Sequence, residues 1–243
     1  MSRICLIKQP AGIGDIIYCQ KIAHHYRSKG YEIIWPVLPE YSYIKEYLGE
    51  FSYPTIMDNF EYKNIYTDSS DNKTTGKEKF IFTDEFIFLP FESYVGNGLY
   101  LEEKYSVVNL QMNDWANYVG LMRNFKKEQE LFNLKNSNNE EYVLVNYNYG
   151  TRPTTRRIKY DYNSKGMKVI EMDFIHGYTY FDWCKLVEEA SDVCFSCCAT
   201  TLLVEILQPK KVLNPTIMMH SIESRPVVEC LYNNVKWNYV IGN

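Results

Sequence analysis

The chain has 243 residues, of which 46% are hydrophobic and 16% aromatic; this excludes global disorder and allows one large or two small cored domains. A net charge of −4 argues against a protein that coats nucleic acid, since phosphate binding relies on a basic surface, so a nucleic-acid partner is not expected. No stretch approaches the roughly 18 apolar residues of a membrane span, the start is too short in apolar residues for a signal-peptide core, and the seven cysteines follow no regular spacing. The expectation is a protein of the reducing cytosol with mostly free thiols.

In chain order, Ile4-Cys5-Leu6-Ile7 predicts a buried strand, and Pro10 to Gln20 opens with a glycine turn. Ile16, Cys19, Ala23 and Tyr26 then recur at helical spacing, which predicts a helix with one apolar face ending near Gly30. Residues 31–35 read as a second strand stopped by Pro36, so the first 35 residues or so form a βαβ unit with parallel pairing. Residues 40–48 predict a short helix, 68–76 a polar loop, and 80–91 two short strands or one bent strand. Residues 113–132 predict a long helix lined by Trp115, Tyr118, Val119, Met122 and Phe125.

The polar stretch 133–141 reads as a linker, and a second alternating pattern follows it. Strands are expected at 142–146, 167–172, 193–196 and 210–213, with helices at 180–190 and 200–207. Thr179 and Asp182 have the spacing of a capping box, with Asp in the place of Glu. The fold class expected is α/β, as two halves that divide near residue 137.

Three stretches carry candidate chemistry. In Gly12-Ile13-Gly14-Asp15 the glycines allow a sharp turn and close approach of a ligand, and Asp15 sits at the mouth of a helix, where it either faces a substrate or caps the helix. The turn lacks the third glycine of a dinucleotide fingerprint and the Gly-Lys-Ser/Thr of a P-loop, and a carboxylate there repels phosphate. Residues 152–159 gather Arg152, Arg156, Arg157 and Lys159 just after the strand ending at Asn146; they form either a diphosphate grip or a solvated basic loop. Ser196-Cys197-Cys198-Ala199-Thr200-Thr201 joins a strand to a helix whose free N–H groups suit a phosphate, or is an ordinary N-cap with small residues. Glu171, at the end of its strand, is a candidate for a ribose hydroxyl. Cys194 and Cys197 have metal or redox spacing, but no second pair matches them, so no metal site is expected.

Two α/β halves, the Gly12-Ile-Gly14-Asp15 turn and the Ser/Thr-rich strand–helix turn resemble a GT-B glycosyltransferase, and most closely the heptosyltransferase-like group. The resemblance implies two Rossmann-like α/β/α domains facing a central cleft, reduced in size: residues 1–137 on the acceptor side and 138–243 binding a nucleotide-sugar. It implies an inverting transfer from a nucleotide-diphosphate sugar to a carbohydrate or other hydroxyl acceptor, with no metal or other cofactor. Asp15 would be the catalytic base beside Gly12, Ile13 and Gly14. Arg156, Arg157, Lys159, Glu171, Ser196, Thr200 and Thr201 would bind the donor. Where the family's second motif carries Asp-Thr-Gly and a histidine, this chain has Ser196-Cys-Cys-Ala-Thr200-Thr201. An inactive nucleotide-sugar-binding protein and a DNA-modifying glycosyltransferase are the alternatives.

Overall fold

The structure is a computed structural model that describes residues 2–68, 79–91, 101–148, 157–212, 215–219, 229 and 231–242. The chain divides into two compact units, Met1–Met122 and Arg123–Asn243.

The first unit begins with β1 (Arg3–Lys8), whose interior is fully buried, followed by α1 (Ile13–Tyr18), α2 (Gln20–Ser28) and β2 (Tyr31–Ile34). The predicted first helix is thus two helices joined at Cys19, and its apolar face (Ile16, Cys19, Ala23, Tyr26) is buried as its spacing requires. Gly30, at φ +85°, ends α2 by donating its N–H to the Arg27 carbonyl at 2.9 Å. The helix expected at 40–48 is a 3₁₀ turn at Pro39–Tyr41 followed by α3 (Ile44–Tyr47). After α4 (Lys63–Asp68), β3 (Ile81–Phe82) and β4 (Phe86–Pro90) form the expected pair of short strands, and α5 (Leu101–Val107) follows.

The sheet order is β2-β1-β4-β3; β1 is parallel to both neighbours and β3 is antiparallel. Ile4 and Leu6 join Ile34, Tyr66 and Phe88 in a cluster on one face, while strand alternation turns Cys5 and Ile7 to the other.

The long helix expected at 113–132 does not form. Trp115–Tyr118 is a 3₁₀ turn, and α6 runs over Phe125–Lys135 instead. Tertiary bonds override the apparent periodicity. Lys21 donates to the carbonyls of Gln111 (2.8 Å) and Asn113 (2.9 Å) and pairs with the Asp114 carboxylate, and Asp114 itself is left-handed at φ 59°. Asn124 then starts a new helix by accepting from the Lys127 N–H at 3.1 Å. Two residues of the supposed apolar line, Met122 and Phe125, are 49% and 70% exposed.

Because α6 packs on elements of the second unit, the division falls at Met122/Arg123 and not at residue 137. Arg123 is tied into that unit by Glu128 and by Glu188, the latter at 2.7 Å. The unit continues with β5 (Tyr142–Asn146), β6 (Lys168–Glu171), a 3₁₀ turn at Tyr180–Trp183, α7 (Cys184–Glu189), β7 (Asp192–Ser196), α8 (Ala199–Leu207), β8 (Thr216–Met219) and β9 (Asn238–Ile241). The Asp182 carboxylate accepts from the Thr179 N–H (2.6 Å) and hydroxyl (2.9 Å), as the capping-box spacing predicts.

The strand expected at 210–213 is absent from its described part: α8 ends at Gln208 in a left-handed conformation, and Lys210 and Lys211 lie in a turn, with Lys211 held to Glu189. The sheet order is β6-β5-β7-β8-β9, all parallel, with Ile158 packed onto Val143, Val145, Cys194 and Met218. Among the described residues, no helix is long and apolar enough to cross a membrane.

Both sheets are wound outward from their first strand. From β1 the chain goes to β2 on one side and later to β4 on the other; from β5 it goes to β6 and then to β7. Each sheet therefore has a switch point at the carboxyl end of its first strand, where doubly wound α/β sheets open a ligand-binding crevice.

Candidate functional site

The first switch point lies between β1 and β4. β1 runs into Gln9-Pro10-Ala11, and Gly12 starts α1 in a left-handed conformation (φ 80°, ψ 91°), with its carbonyl accepting from the Ile16 N–H at 3.0 Å. Ile13 is buried beneath the turn. Asp15 is the third residue of α1, and its carboxylate reaches a side chain instead of capping the helix. Its Oδ1 accepts from Lys104 Nζ at 2.6 Å, while a Cβ on Gly12 would stand 2.9 Å from its Oδ2. Glycine at position 12 therefore serves the backbone and also makes room for the acid.

Lys104 comes from α5, after β4, so this ion pair joins the two strands that flank the switch. Its side chain is only 3% exposed, against 46% for Asp15. Its ammonium also donates to Gln9 Oε1 at 2.6 Å. Gln9 is fixed in turn by its own amide on the Ala11 carbonyl (2.8 Å) and by the Trp35 indole N–H on its backbone carbonyl (3.0 Å). The result is a solvent-open carboxylate held from below by a buried cation.

The second switch point lies between β5 and β7 and, among the described residues, carries no charge in its linking bonds. Asn146, the last residue of β5, donates from Nδ2 to Thr200 Oγ1 (2.9 Å) and accepts the Asn148 N–H (2.9 Å). The Ser196 hydroxyl donates to the Asn148 carbonyl, and Cys198 Sγ lies 3.1 Å from Thr200 Oγ1 and 3.4 Å from both Asn146 Nδ2 and Ser196 Oγ. The Thr201 hydroxyl donates to the Cys198 carbonyl and shares a second bond with the Tyr232 hydroxyl, each at 2.6 Å. Ser196, Thr200 and Thr201 are all buried. Their hydroxyls thus build the turn, and the chemistry left for an anion is that of the first backbone N–H groups of α8.

Of the cationic loop, Arg156 lies outside the described residues. Arg157 pairs with Glu171 at the end of β6 and sits 5.8 Å from the Tyr147 ring centroid. Lys159 is exposed and, with Tyr147, Arg157 and Asp161, lines an open depression of about 650 Å³. Glu171 and Arg157 are therefore together, near the carboxyl end of β5, through the bridge between Asn148 and Arg157. Burial pushes the Cys194 thiol up to about 12 and the Cys197 thiol up to about 11; Cys194 is a core thiol as expected, whereas Cys197 is only half-buried. Among the described residues, no group of three or more His, Cys, Asp or Glu side chains could hold a metal ion.

Sequence reasoning found the loops but missed several side chains that join them. Asn146 appeared only as a strand end, and Gln9 and Lys104 not at all. No local signal marks Lys104, which meets Asp15 across 89 residues.

A doubly wound pair of α/β units, each with a polar junction at its switch point, defines a class of fold, and the solved structures contain a match to it. The crystal structure of the glycosyl transferase family 9 from Veillonella parvula DSM 2008 is similar to this chain with a TM-score of 0.54 and 8% identity, over 99% of this chain and 86% of that one. At that identity the likeness shows the fold: mixed α/β with parallel sheets, like that glycosyltransferase. No family model matches the chain, and no curated protein matches it in sequence.

Proposed function

We propose that this protein is a glycosyltransferase that moves a sugar from a nucleotide-diphosphate sugar to an acceptor hydroxyl. One observation carries the reading: on a fold shared with a family 9 glycosyltransferase, Asp15 offers a fixed, solvent-open carboxylate at the first switch point. The acceptor oxygen attacks the anomeric carbon and a new C–O bond forms with inversion. The bond from that carbon to the β-phosphate oxygen breaks, and its electron pair leaves with the nucleotide diphosphate. Asp15 takes the hydroxyl proton.

The start of α8 and the cations Arg156, Arg157 and Lys159 receive the diphosphate, whose growing charge they stabilise. Glu171 takes a ribose hydroxyl once Arg157 turns to phosphate. Transfer then needs neither a metal nor another cofactor, and its setting is the reducing cytosol.

The test is thermal melting with UDP, GDP, ADP, CMP and their sugars. A nucleotide that binds only the folded chain at 100 times its Kd stabilises it by about 2.7 kcal/mol. The reading expects one nucleotide family to raise the melting temperature and its sugar to be consumed. A shift without consumption would define a binding protein, and no shift with any of them would defeat the donor site.

A further inference from the structure

Lys104 is buried, yet its ion-pair partner Asp15 stands nearly half in solvent. Burying an ammonium is costly unless it is paired. The pairing here leaves the exposed acid accessible while the cation is spent on holding it. Oδ1 is fixed at 2.6 Å by Lys104, and Oδ2 lies over Gly12, where a Cβ would stand 2.9 Å away. The ammonium is itself immobilised by Gln9, which Ala11 and Trp35 hold in place. The chain Trp35–Gln9–Lys104–Asp15 thus runs from the interior to one carboxylate oxygen and, among the described residues, leaves the other unclaimed.

We propose that Lys104 is the positioning residue for Asp15: its ammonium fixes Oδ1 so that Oδ2 is presented to the acceptor hydroxyl. This rests on the transferase reading, in which Asp15 takes the acceptor proton. Without Lys104, a half-exposed carboxylate is free to turn about its side-chain torsions, and misplacement of a reacting group by about 1 Å costs on the order of 100-fold in rate.

The test uses crystals and kinetics of the full chain carrying Lys104→Met or Lys104→Gln, with and without Asp15→Asn. In crystals of Lys104→Met, the Asp15 carboxylate leaves its place over Gly12. Release of nucleotide diphosphate from UDP-, GDP- and ADP-sugars falls about 100-fold in kcat, with the donor KM unchanged. In the Asp15→Asn background, loss of Lys104 lowers the rate by less than about 2-fold, because its route of action is gone.

An unmoved carboxylate in the crystal, or losses that multiply in the double variant, would overturn the proposal. So would failure of both single variants to fold, which would make Lys104 a structural residue. A wild-type chain that turns over no nucleotide sugar defeats the transferase reading, while the crystals still decide whether Lys104 orients Asp15.

Discussion

The two units wind their sheets the same way but furnish their switch points differently. In the first, the loop after β1 meets the helix after β4 through a charged pair, Asp15 and Lys104. In the second, the end of β5 meets the start of α8 through a neutral bond, Asn146 to Thr200. A carboxylate at a helix start satisfies that end of the helix dipole and repels any phosphate brought to it. An uncharged start of small, internally bonded residues leaves the helix N–H groups to an anion. The transfer proposed above uses this difference, with proton chemistry at the first junction and diphosphate binding at the second.

The sharpest way to break this contrast is Asp15→Asn. Transfer is expected to fall about 100- to 10,000-fold while the nucleotide-induced rise in melting temperature is unchanged. Full transfer would remove Asp15 as the base. Asn146→Leu should act on the donor side instead. It removes the acceptor of the Asn148 N–H and the amide that donates to the Thr200 hydroxyl, costs about 1–3 kcal/mol in a denaturant titration, and weakens nucleotide binding measured by calorimetry.

Gly12→Ala forces a side chain into a left-handed position, at a cost of about 1–2 kcal/mol, and pushes on the Asp15 carboxylate. The expected pattern is reduced transfer with intact nucleotide binding; intact transfer would mean that the acid tolerates displacement.

How much of this was legible in the chain depends on the range of the forces involved. The turn at Gly12–Asp15 could be read because its signals are local: an apolar strand, two glycines and a helical repeat within 25 residues or so. The parallel-sheet halves could be read for the same reason. The helix expected at 113–132 failed because Lys21, 92 residues away from Asn113, captures a carbonyl that a helix would use. Lys104 was illegible because a lysine in a short helix looks solvated until the fold brings Gln9 and Asp15 to it.

Two smaller effects sharpen the second unit. Arg157→Gln should change stability by only about 0–1 kcal/mol, since Arg157 and Glu171 form a surface pair. It should still weaken nucleotide binding, and unchanged affinity would remove Arg157 from the donor site. Glu205, on α8, is held above its ordinary value of 4.5 by burial, offset in part by the Trp237 indole and the Asn234 N–H. A raised carboxyl contributes stability that is present below about 4.5 and lost as pH rises through its folded value. The melting temperature of the wild type minus that of Glu205→Gln should therefore fall as pH rises from about 4 toward 7; a flat or rising difference would contradict that sign.

The central claim is that this chain transfers a sugar, with its acid and its donor site on separate switch points. The direct measurement is release of nucleotide diphosphate from a panel of nucleotide sugars, with and without hydroxyl acceptors, in the wild type and in Asp15→Asn. The account predicts release that depends on acceptor in the wild type and is lost in the variant while the variant still binds the nucleotide. Equal release in the two proteins, or none from any sugar in the wild type, would contradict it.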